Sequence, residues 1–347
     1  KILESLSSQD YKEAFAARIH KSNKSTYNYE IILETVKTQP DLIKRLYRLF
    51  ERKFDPFVEN RVTPAQMDNE FTKFIKVIAS RFIDFSIGYD IFLFLFKFVS
   101  CTLKTNFYKP DKRSFCFRFD NRILDPLVYR QFVYGIFFVN GHYACGTHMR
   151  AADIARGGLR MIRVSRSNYA AELDNAVLIN YALGPKAQRL KHKDICESGS
   201  KGVIVPHPLS ADGYATDALF DFTEGIMDLM MGGGAIVDYY GKSEMIFFGP
   251  DEGTAPLMDA GSFRARQRGY KHWRTITTGK SFGIPHDTYG ILEDGNLFGL
   301  IERGEKGTEL QINGESRGAF LEMEKIFHEI GGRVATSGMT TTGVMSS

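Results

Sequence analysis

The chain has 347 residues, of which 43% are hydrophobic and 25% are charged, and its formal net charge is +4. These proportions are typical of a soluble globular protein with room for two domains. The mildly basic charge gives no support for a nucleic-acid-binding protein. The four cysteines lie far apart without a CxxC pair, which argues against a zinc site or a disulfide framework and favours a reducing compartment.

The first hundred residues are predicted to be helical. Tyr11–His20 has the pattern of a short amphipathic helix, and Tyr29–Phe54 carries apolar residues at helical spacing. Asn69–Val99 predicts two helices that are separated near Gly88. The apolar run Phe85–Leu103 contains an aspartate and a lysine, which indicates a buried helix rather than a membrane span. We therefore expect a helical region over residues 1–103.

After Lys104, predicted strands and helices alternate, which indicates an α/β fold with a mixed sheet flanked by helices over residues 104–347. The predicted strands are Ser114–Phe119, Val133–Val139, Gly202–Val205 and Glu244–Phe248, and the predicted helices are Asn168–Leu183, Asp217–Met231 and Ala319–Ile330. Asn140-Gly141 predicts a hairpin turn. The glycine- and charge-rich stretch Gly290–Gly318 predicts a β-hairpin insertion.

One lysine stands out in the second region. Lys201 lies in Gly199-Ser200-Lys201-Gly202, directly before a β-branched stretch. Small neighbours allow a substrate to approach the ammonium group, and the following strand would hold the loop rigid. A lysine that is desolvated in this way can lose its proton near neutral pH and act as a base. The same tetrapeptide also suits a surface turn, so the hypothesis depends on two other segments.

Those segments supply anion-binding and carboxylate groups. Arg156 precedes Gly157 and Gly158, so a carboxylate could approach both its guanidinium and backbone N–H groups. Lys191 is a second cation shortly before Lys201. Asp251 follows a predicted strand, and the carboxyl ends of strands are where open α/β sheets bind ligands. A carboxylate that faces a neutral lysine forms an acid–base pair suited to amine chemistry.

Each feature also has an ordinary structural explanation. Arg-Gly-Gly is more often a turn, Lys191 belongs to a Lys-His-Lys run typical of a solvated face, and Asp251 suits a turn. His148, His207, His272 and His286 lack metal-ligand spacing. Thr278-Gly279-Lys280-Ser281 lacks the upstream glycine of a phosphate-binding loop, and no GxGxxG follows a strand. The chain therefore shows no dinucleotide fingerprint of its own.

Taken together, these segments resemble the glutamate dehydrogenases, and most closely the large NAD-specific enzymes with long subunits. The segments that carry the resemblance are Leu103–Tyr108, His148–Arg150, Asp153–Gly158, Lys191–Ile195, Glu197–Gly202, Gly249–Thr254 and Gly279–Gly290. The resemblance implies a substrate-binding domain that is followed in this family by a nucleotide-binding Rossmann domain. Both ends of the chain look cut, so we expect it to hold the substrate half alone and to lack turnover by itself.

The resemblance also implies residue roles. Lys201 matches the catalytic lysine that activates water, and Asp251 matches the aspartate that exchanges protons with the substrate nitrogen. Arg156 stands where smaller family members have a lysine that grips the side-chain carboxylate, and Lys191 matches the lysine that holds the α-carboxylate. The complete set of implied substrate-binding residues is Arg156, Gly157, Gly158, Gln188, Lys191 and Thr342. Ser198 stands where glycine is usual and would narrow the loop.

The implied reaction is reversible oxidative deamination of L-glutamate to 2-oxoglutarate and ammonia with NAD as cofactor, and no metal is implied. The family also implies a homo-oligomer, either a tetramer or a hexamer, in the cytoplasm or mitochondrion, without a nucleic-acid or membrane partner. Two alternatives stay open. One is a dehydrogenase for another amino acid such as leucine or valine, against which the cation Arg156 argues. The other is a non-catalytic regulatory module that binds acidic metabolites through Arg156, Lys191 and Lys201.

Overall fold

The computed structural model describes residues 28–84, 86–126, 128–186, 198–209 and 213–277. These residues divide into two compact units. The first contains the described residues up to Pro110 together with Phe117–Arg130 and Gly232–Gly241. The second contains Asp111–Cys116, Gln131–Met231 and the described residues from Lys242 onward. The domain boundary expected near residue 103 stays a prediction.

The first unit is mainly helical, as predicted. Its helices are α1 (Tyr29–Lys37), α2 (Pro40–Phe54), α3 (Pro64–Arg81) and α4 (Ile87–Cys101). The strand β1 (Thr102–Thr105) follows directly and pairs antiparallel with the end of β2 (Ser114–Phe119). The prediction of a helical region is therefore confirmed over the described residues, whereas the predicted helix Tyr11–His20 lies outside them.

Local sequence signals explain where these helices begin. The pattern over residues 29–54 forms two helices because Pro40 disfavours a helical conformation at the residue before it and starts α2. Helix α3 begins at Pro64 rather than Asn69, since Thr63 and Gln66 form a reciprocal capping box there. The break between α3 and α4 precedes Gly88. Instead of ending a helix, Gly88 allows the Phe82 ring to pack closely against the backbone.

Helix α4 supplies much of the core of the first unit. Its side chains Phe92, Phe96 and Val99 are buried, and the Phe96 ring lies 5.2 Å from that of Phe74 on α3. The run Phe85–Leu103 thus contains a buried helix, as predicted. Among the described helices, none has both the length and the apolar character that a membrane crossing requires.

A mixed sheet forms the centre of the second unit. Besides the start of β2, its strands are β3 (Gly135–Gly141), β4 (Ala144–Arg150), β5 (Ala155–Arg156), β6 (Leu159–Met161) and β7 (Ser198–Pro206). Strand β4 pairs antiparallel with both β3 and β7, while β5 and β6 pair parallel with β7. Strand β7 is therefore an interior strand with partners on both sides, and it carries Lys201.

Helices cover both faces of this sheet. The helices of the unit are α5 (Tyr169–Tyr181), α6 (Ala215–Met231) and α7 (Met258–Gln267). On one face, Asn180 of α5 donates to the Thr147 carbonyl at 2.7 Å. Side chains alternate between the two faces of a strand, so Gly146 lies on the face opposite to Thr147. On that face Phe222 of α6 packs closely against Gly146, and a Cβ on Gly146 would overlap the phenylalanine ring. The predicted α/β fold with a mixed sheet flanked by helices is confirmed.

Two predictions of strands and turns were wrong in detail. Glu244–Phe248 is not a strand, because its backbone donors go to separate segments: Ile246 N–H lies 3.2 Å from the Met230 sulfur, and Phe248 N–H donates to the Ile276 carbonyl at 2.8 Å. The β3–β4 hairpin exists, but its turn lies after Asn140-Gly141, at His142-Tyr143.

A third correction concerns the lysine segment. Lys201 lies within β7 rather than in a loop, because the ladder with β4 continues through the pairs Met149–Lys201 and Arg150–Ser200. The other two elements fare better: the helices predicted over Asn168–Leu183 and Asp217–Met231 are present, with ends within two residues. The predictions for Gly290–Gly318 and Ala319–Ile330 lie outside the described residues.

Candidate active site around Lys201

The centre of the candidate site is Lys201 on strand β7. Neighbouring strands enclose it, with Met149 of β4 directly opposite on one side and the parallel strands β5 and β6 on the other. Only 6% of the residue is exposed. A lysine this buried needs an anionic or polar partner, because transfer of an unpaired ammonium group out of water is strongly unfavourable.

Backbone hydrogen bonds bring the three glycine-containing segments together. Gly202 N–H donates to the Gly158 carbonyl at 3.0 Å, and Gly249 N–H donates to the Gly157 carbonyl at 3.0 Å. Leu159 N–H in turn donates to the Gly249 carbonyl at 2.8 Å. The segments that the sequence singled out around residues 156, 201 and 251 therefore converge, although they lie far apart along the chain.

The two glycines after Arg156 are required for close approach. Each has little space around its Cα hydrogens: a Cβ on Gly157 would overlap the backbone carbonyl of Ser200, and a Cβ on Gly158 would lie 2.5 Å from the Asp251 carboxylate. Neither residue is among the described glycines with positive φ. A larger residue at position 157 would push against β7, and one at position 158 would push against the Asp251 carboxylate.

Asp251 is the partner of Lys201. The lysine Nζ donates to Oδ2 of Asp251. The other oxygen, Oδ1, accepts a hydrogen bond from the Glu252 backbone N–H at 2.7 Å and lies 3.4 Å from Nη2 of Arg160. Both carboxylate oxygens are therefore engaged, one by the lysine and the other by a backbone amide and an arginine.

A threonine fixes the turn that carries this aspartate. Asp251 N–H donates to Thr254 Oγ1 at 3.2 Å, and the Thr254 hydroxyl donates to the Leu159 carbonyl at 2.6 Å. Because Thr254 is fully buried, its hydroxyl gains these partners in place of water. The turn is thereby attached to β6, next to the glycine pair.

The environment keeps the Asp251 carboxylate ionised. Partial burial would by itself raise its pKa, but hydrogen bonds from Lys201 and the Glu252 backbone N–H, with the charges of Lys201 and Arg160, more than offset this and hold the pKa below its ordinary value. An ionised carboxylate in contact with a lysine is suited to accept and return a proton.

The other predicted site residues divide into placed and undescribed ones. Arg156 lies on β5 opposite Gly199, at the edge next to Lys201, and its side chain is exposed. The structure thus brings together Lys201, Asp251, Arg156, Gly157 and Gly158. The predicted residues Gln188, Lys191 and Thr342 lie outside the described residues, so their placement stays a prediction.

Sequence reasoning missed Arg160. It stands four residues after Arg156, two residues beyond the segment Asp153–Gly158. In β6 it pairs with Val203 of β7, and strand alternation puts both on the same face as Lys201. This placement can be recognised only when it is known that β6 pairs parallel with β7, and the sequence does not reveal which strands pair.

A buried ion pair next to the site was also missed. Arg150, opposite Ser200, is 1% exposed, and its Nη2 donates to the Glu244 carboxylate at 2.6 Å. Its Nη1 donates to the Asp153 carbonyl at 2.6 Å, and the guanidinium lies 5.0 Å from the Tyr134 ring. Nothing in the local sequence of Arg150 signals a partner 94 residues away.

The described residues contain no group of three His, Cys, Asp or Glu side chains that could hold a metal ion. His148 is instead a buried core residue: burial, aided by the charge of Arg150, lowers its pKa to about 3, so its imidazole is neutral. Cys101, Cys116 and Cys145 are buried and form no disulfide with one another.

The fully described strand-to-helix connection of the second unit lacks a dinucleotide-binding turn. Pyrophosphate binding in a Rossmann fold needs a glycine-rich turn between a strand and a helix, whose N-terminus then faces the phosphates. The described strand-to-helix connection from β6 to α5 contains no glycine. We therefore assign NAD to no residue of this chain.

Comparison with known proteins gives a consistent result. Residues 88–311 match the family described as "Bacterial NAD-glutamate dehydrogenase, catalytic domain". The chain is 38% identical over 275 residues to glutamate dehydrogenase 2 of Dictyostelium discoideum, covering 78% of this chain and 26% of that protein. It is 35% identical over 289 residues to the NAD-specific glutamate dehydrogenase of Neurospora crassa, covering 77% and 27%.

A similar relation holds for the NAD-specific glutamate dehydrogenase of Saccharomyces cerevisiae, which is 37% identical over 242 residues, covering 67% of this chain and 22% of that protein. The chain thus spans about a quarter of the length of these relatives. The matched region contains Lys201, Asp251 and the glycine pair. The resemblance stated from the motifs is confirmed, and the chain belongs to the family of NAD-glutamate dehydrogenase catalytic domains.

Proposed function

We propose that this chain provides the substrate-binding half of an NAD-dependent glutamate dehydrogenase, which interconverts L-glutamate with 2-oxoglutarate and ammonia. The observation that carries the proposal is the contact between the buried Lys201 and the ionised Asp251, beside the Gly157–Gly158 pair. Membership of the family and the names of the relatives support the reaction and the cofactor.

The pair is suited to the hydrolytic half of the reaction. Loss of hydride from Cα of glutamate leaves an iminium carbon, which water must attack to release ammonia. We assign Lys201 the role of accepting the proton from that water as its oxygen bonds to the carbon, which requires the neutral amine. Asp251 takes the second role: it receives a proton from the Lys201 ammonium group that this step forms, passes it to the departing nitrogen, and returns it in the reverse direction.

Positively charged residues near the pair would bind the carboxylate groups of an acidic substrate. Arg156 lies at the edge of the sheet on the strand that precedes the glycine pair, and its planar guanidinium suits bidentate binding of the side-chain carboxylate. The side chain of Arg156 is exposed. We propose that Lys191, placed by Gln188, holds the α-carboxylate, and that Thr342 lies near the side-chain carboxylate.

The test uses the full-length enzyme that contains this chain. Lys201→Ala and Lys201→Arg are compared with wild type for glutamate-dependent NADH formation and for binding of 2-oxoglutarate. We expect both variants to lose about 100-fold or more in kcat, because the alanine removes the base and the arginine cannot lose its proton at neutral pH. Binding of 2-oxoglutarate should persist in Lys201→Arg, which keeps the positive charge.

Unchanged turnover in Lys201→Ala would contradict the catalytic assignment and favour the regulatory alternative. Substrate preference separates the other alternative, since a leucine or valine dehydrogenase would not need a cation at Arg156. We expect Arg156→Met to raise KM for glutamate far more than it changes the thermal stability, because the side chain is exposed. A homo-oligomeric state and a cytoplasmic or mitochondrial location remain part of this proposal.

A further inference from the structure

The two oxygens of the Asp251 carboxylate have different side-chain partners. An aspartate that is held through one oxygen can rotate about χ2, because that torsion is broad and has no sharp staggered wells. Lys201 engages Oδ2. The only side chain within hydrogen-bond distance of Oδ1 among the described residues is Arg160, whose Nη2 lies 3.4 Å away.

Arg160 is set apart from a surface arginine by its surroundings. About a third of its side chain is exposed, at 35%, and its Nε is buried without a hydrogen-bond partner in the described part of the chain. That Nε lies 3.8 Å from Oε2 of Glu252. A buried N–H without a partner is unfavourable and rare in native structures, so its presence at Arg160 requires an explanation.

The two cations on Asp251 differ in one chemical respect. If Lys201 works as a base, it must alternate between the ammonium and the neutral amine, and the neutral amine holds a carboxylate only weakly. A guanidinium stays protonated at every pH at which a protein is folded. Arg160 therefore keeps a positive charge beside the Asp251 carboxylate during the part of the cycle in which Lys201 is neutral.

We propose that Arg160 is a positioning residue that fixes the plane of the Asp251 carboxylate and keeps it beside Lys201 in both charge states of the lysine. The catalytic effect of Arg160 rests on the proposed function, in which Lys201 and Asp251 transfer protons. The arrangement itself rests on geometry alone, through the distances from Arg160 and the Glu252 backbone to Oδ1.

The test compares Arg160→Gln and Arg160→Lys in the full-length enzyme, with Arg166→Gln as a matched control at an exposed arginine before α5. We expect Arg160→Gln to lower kcat for glutamate by about tenfold to 100-fold with little change in KM, because a small misplacement of a catalytic group is costly. The groups that face Asp251 are Lys201, Arg160 and Glu252. Since removal of a cation favours the neutral carboxyl, the acid limb of the kcat profile should move to higher pH.

Arg160→Lys keeps the charge but loses the planar fork. We expect its acid limb to stay at the wild-type position while kcat still falls, and Arg166→Gln to match wild type in both. A KM that rises while kcat stays constant would overturn the proposal, since Arg160 would then bind substrate. Wild-type kinetics in both Arg160 variants would overturn it as well.

A second readout does not depend on turnover. The rate at which acetic anhydride acetylates Lys201, measured by peptide mass spectrometry, reports how firmly Asp251 holds the ammonium. Arg160→Gln should increase that rate several-fold toward the rate in Asp251→Asn, whereas an unchanged rate would overturn the proposal. If wild type lacks glutamate-dependent activity, the proposed function fails, while the labelling result still decides the role of Arg160.

Discussion

Gly158→Ala tests the geometry of the site with one methyl group. The added Cβ would lie 2.5 Å from Oδ2 and 3.0 Å from Cβ of Asp251, whereas ordinary contacts begin at 3.4 Å. The carboxylate must therefore retreat by about 1 Å, and a displacement of that size at a reacting group is associated with a loss of about 100-fold in rate. Overpacking of this kind lowers the free energy of unfolding by only about 1–3 kcal/mol.

The two effects are measured separately in the full-length enzyme. The kcat for glutamate deamination reports the position of Asp251, and urea unfolding reports stability. Gly261→Ala is the matched control, because a Cβ there meets only Leu219 at 3.6 Å and alanine is favoured over glycine inside helix α7. A wild-type kcat in folded Gly158→Ala would refute the assignment of Asp251 to the catalytic pair.

Two further predictions concern stability. Glu244→Gln should lower the free energy of unfolding by about 3–5 kcal/mol in urea titrations, because Arg150 then lacks its buried counter-charge. Asp153→Asn, at an exposed partner of the same arginine, should cost less than about 1 kcal/mol, and equal losses would contradict this reading. Burial lowers the pKa of Lys53 to about 8 from 10.5, so the unfolded chain binds more protons between these values. Stability should therefore rise with pH across that window, and the rise should be absent in Lys53→Met.

The sequence was sufficient for the elements that have strong local signals. Helices α5 and α6 carry long apolar patterns, and their ends were predicted within two residues. The glycine pair and Lys201 could be recognised because small residues beside a charged side chain allow a substrate or a backbone segment to approach it closely. Their convergence with Asp251 followed from the family resemblance rather than from any property of the separate segments.

What failed depended on contacts between distant residues. Lys201 lies in a strand because its segment pairs with β4. The local amino-acid composition does not show which strands pair. Residues Glu244–Phe248 alternate as a strand would, yet no single strand accepts their backbone donors. Arg160 was missed for the same reason, because the parallel pairing of β6 with β7 is what places it on the same face as Lys201.

The central claim is that Lys201 and Asp251 serve the deamination of an acidic amino acid. The most direct measurement is the formation of NADH and of 2-oxoglutarate by the wild-type full-length protein, with L-glutamate and with L-leucine as substrates. We expect one 2-oxoglutarate for each NADH with glutamate and little NADH with leucine. Absence of NADH formation with glutamate, or a higher kcat/KM with leucine, would contradict it.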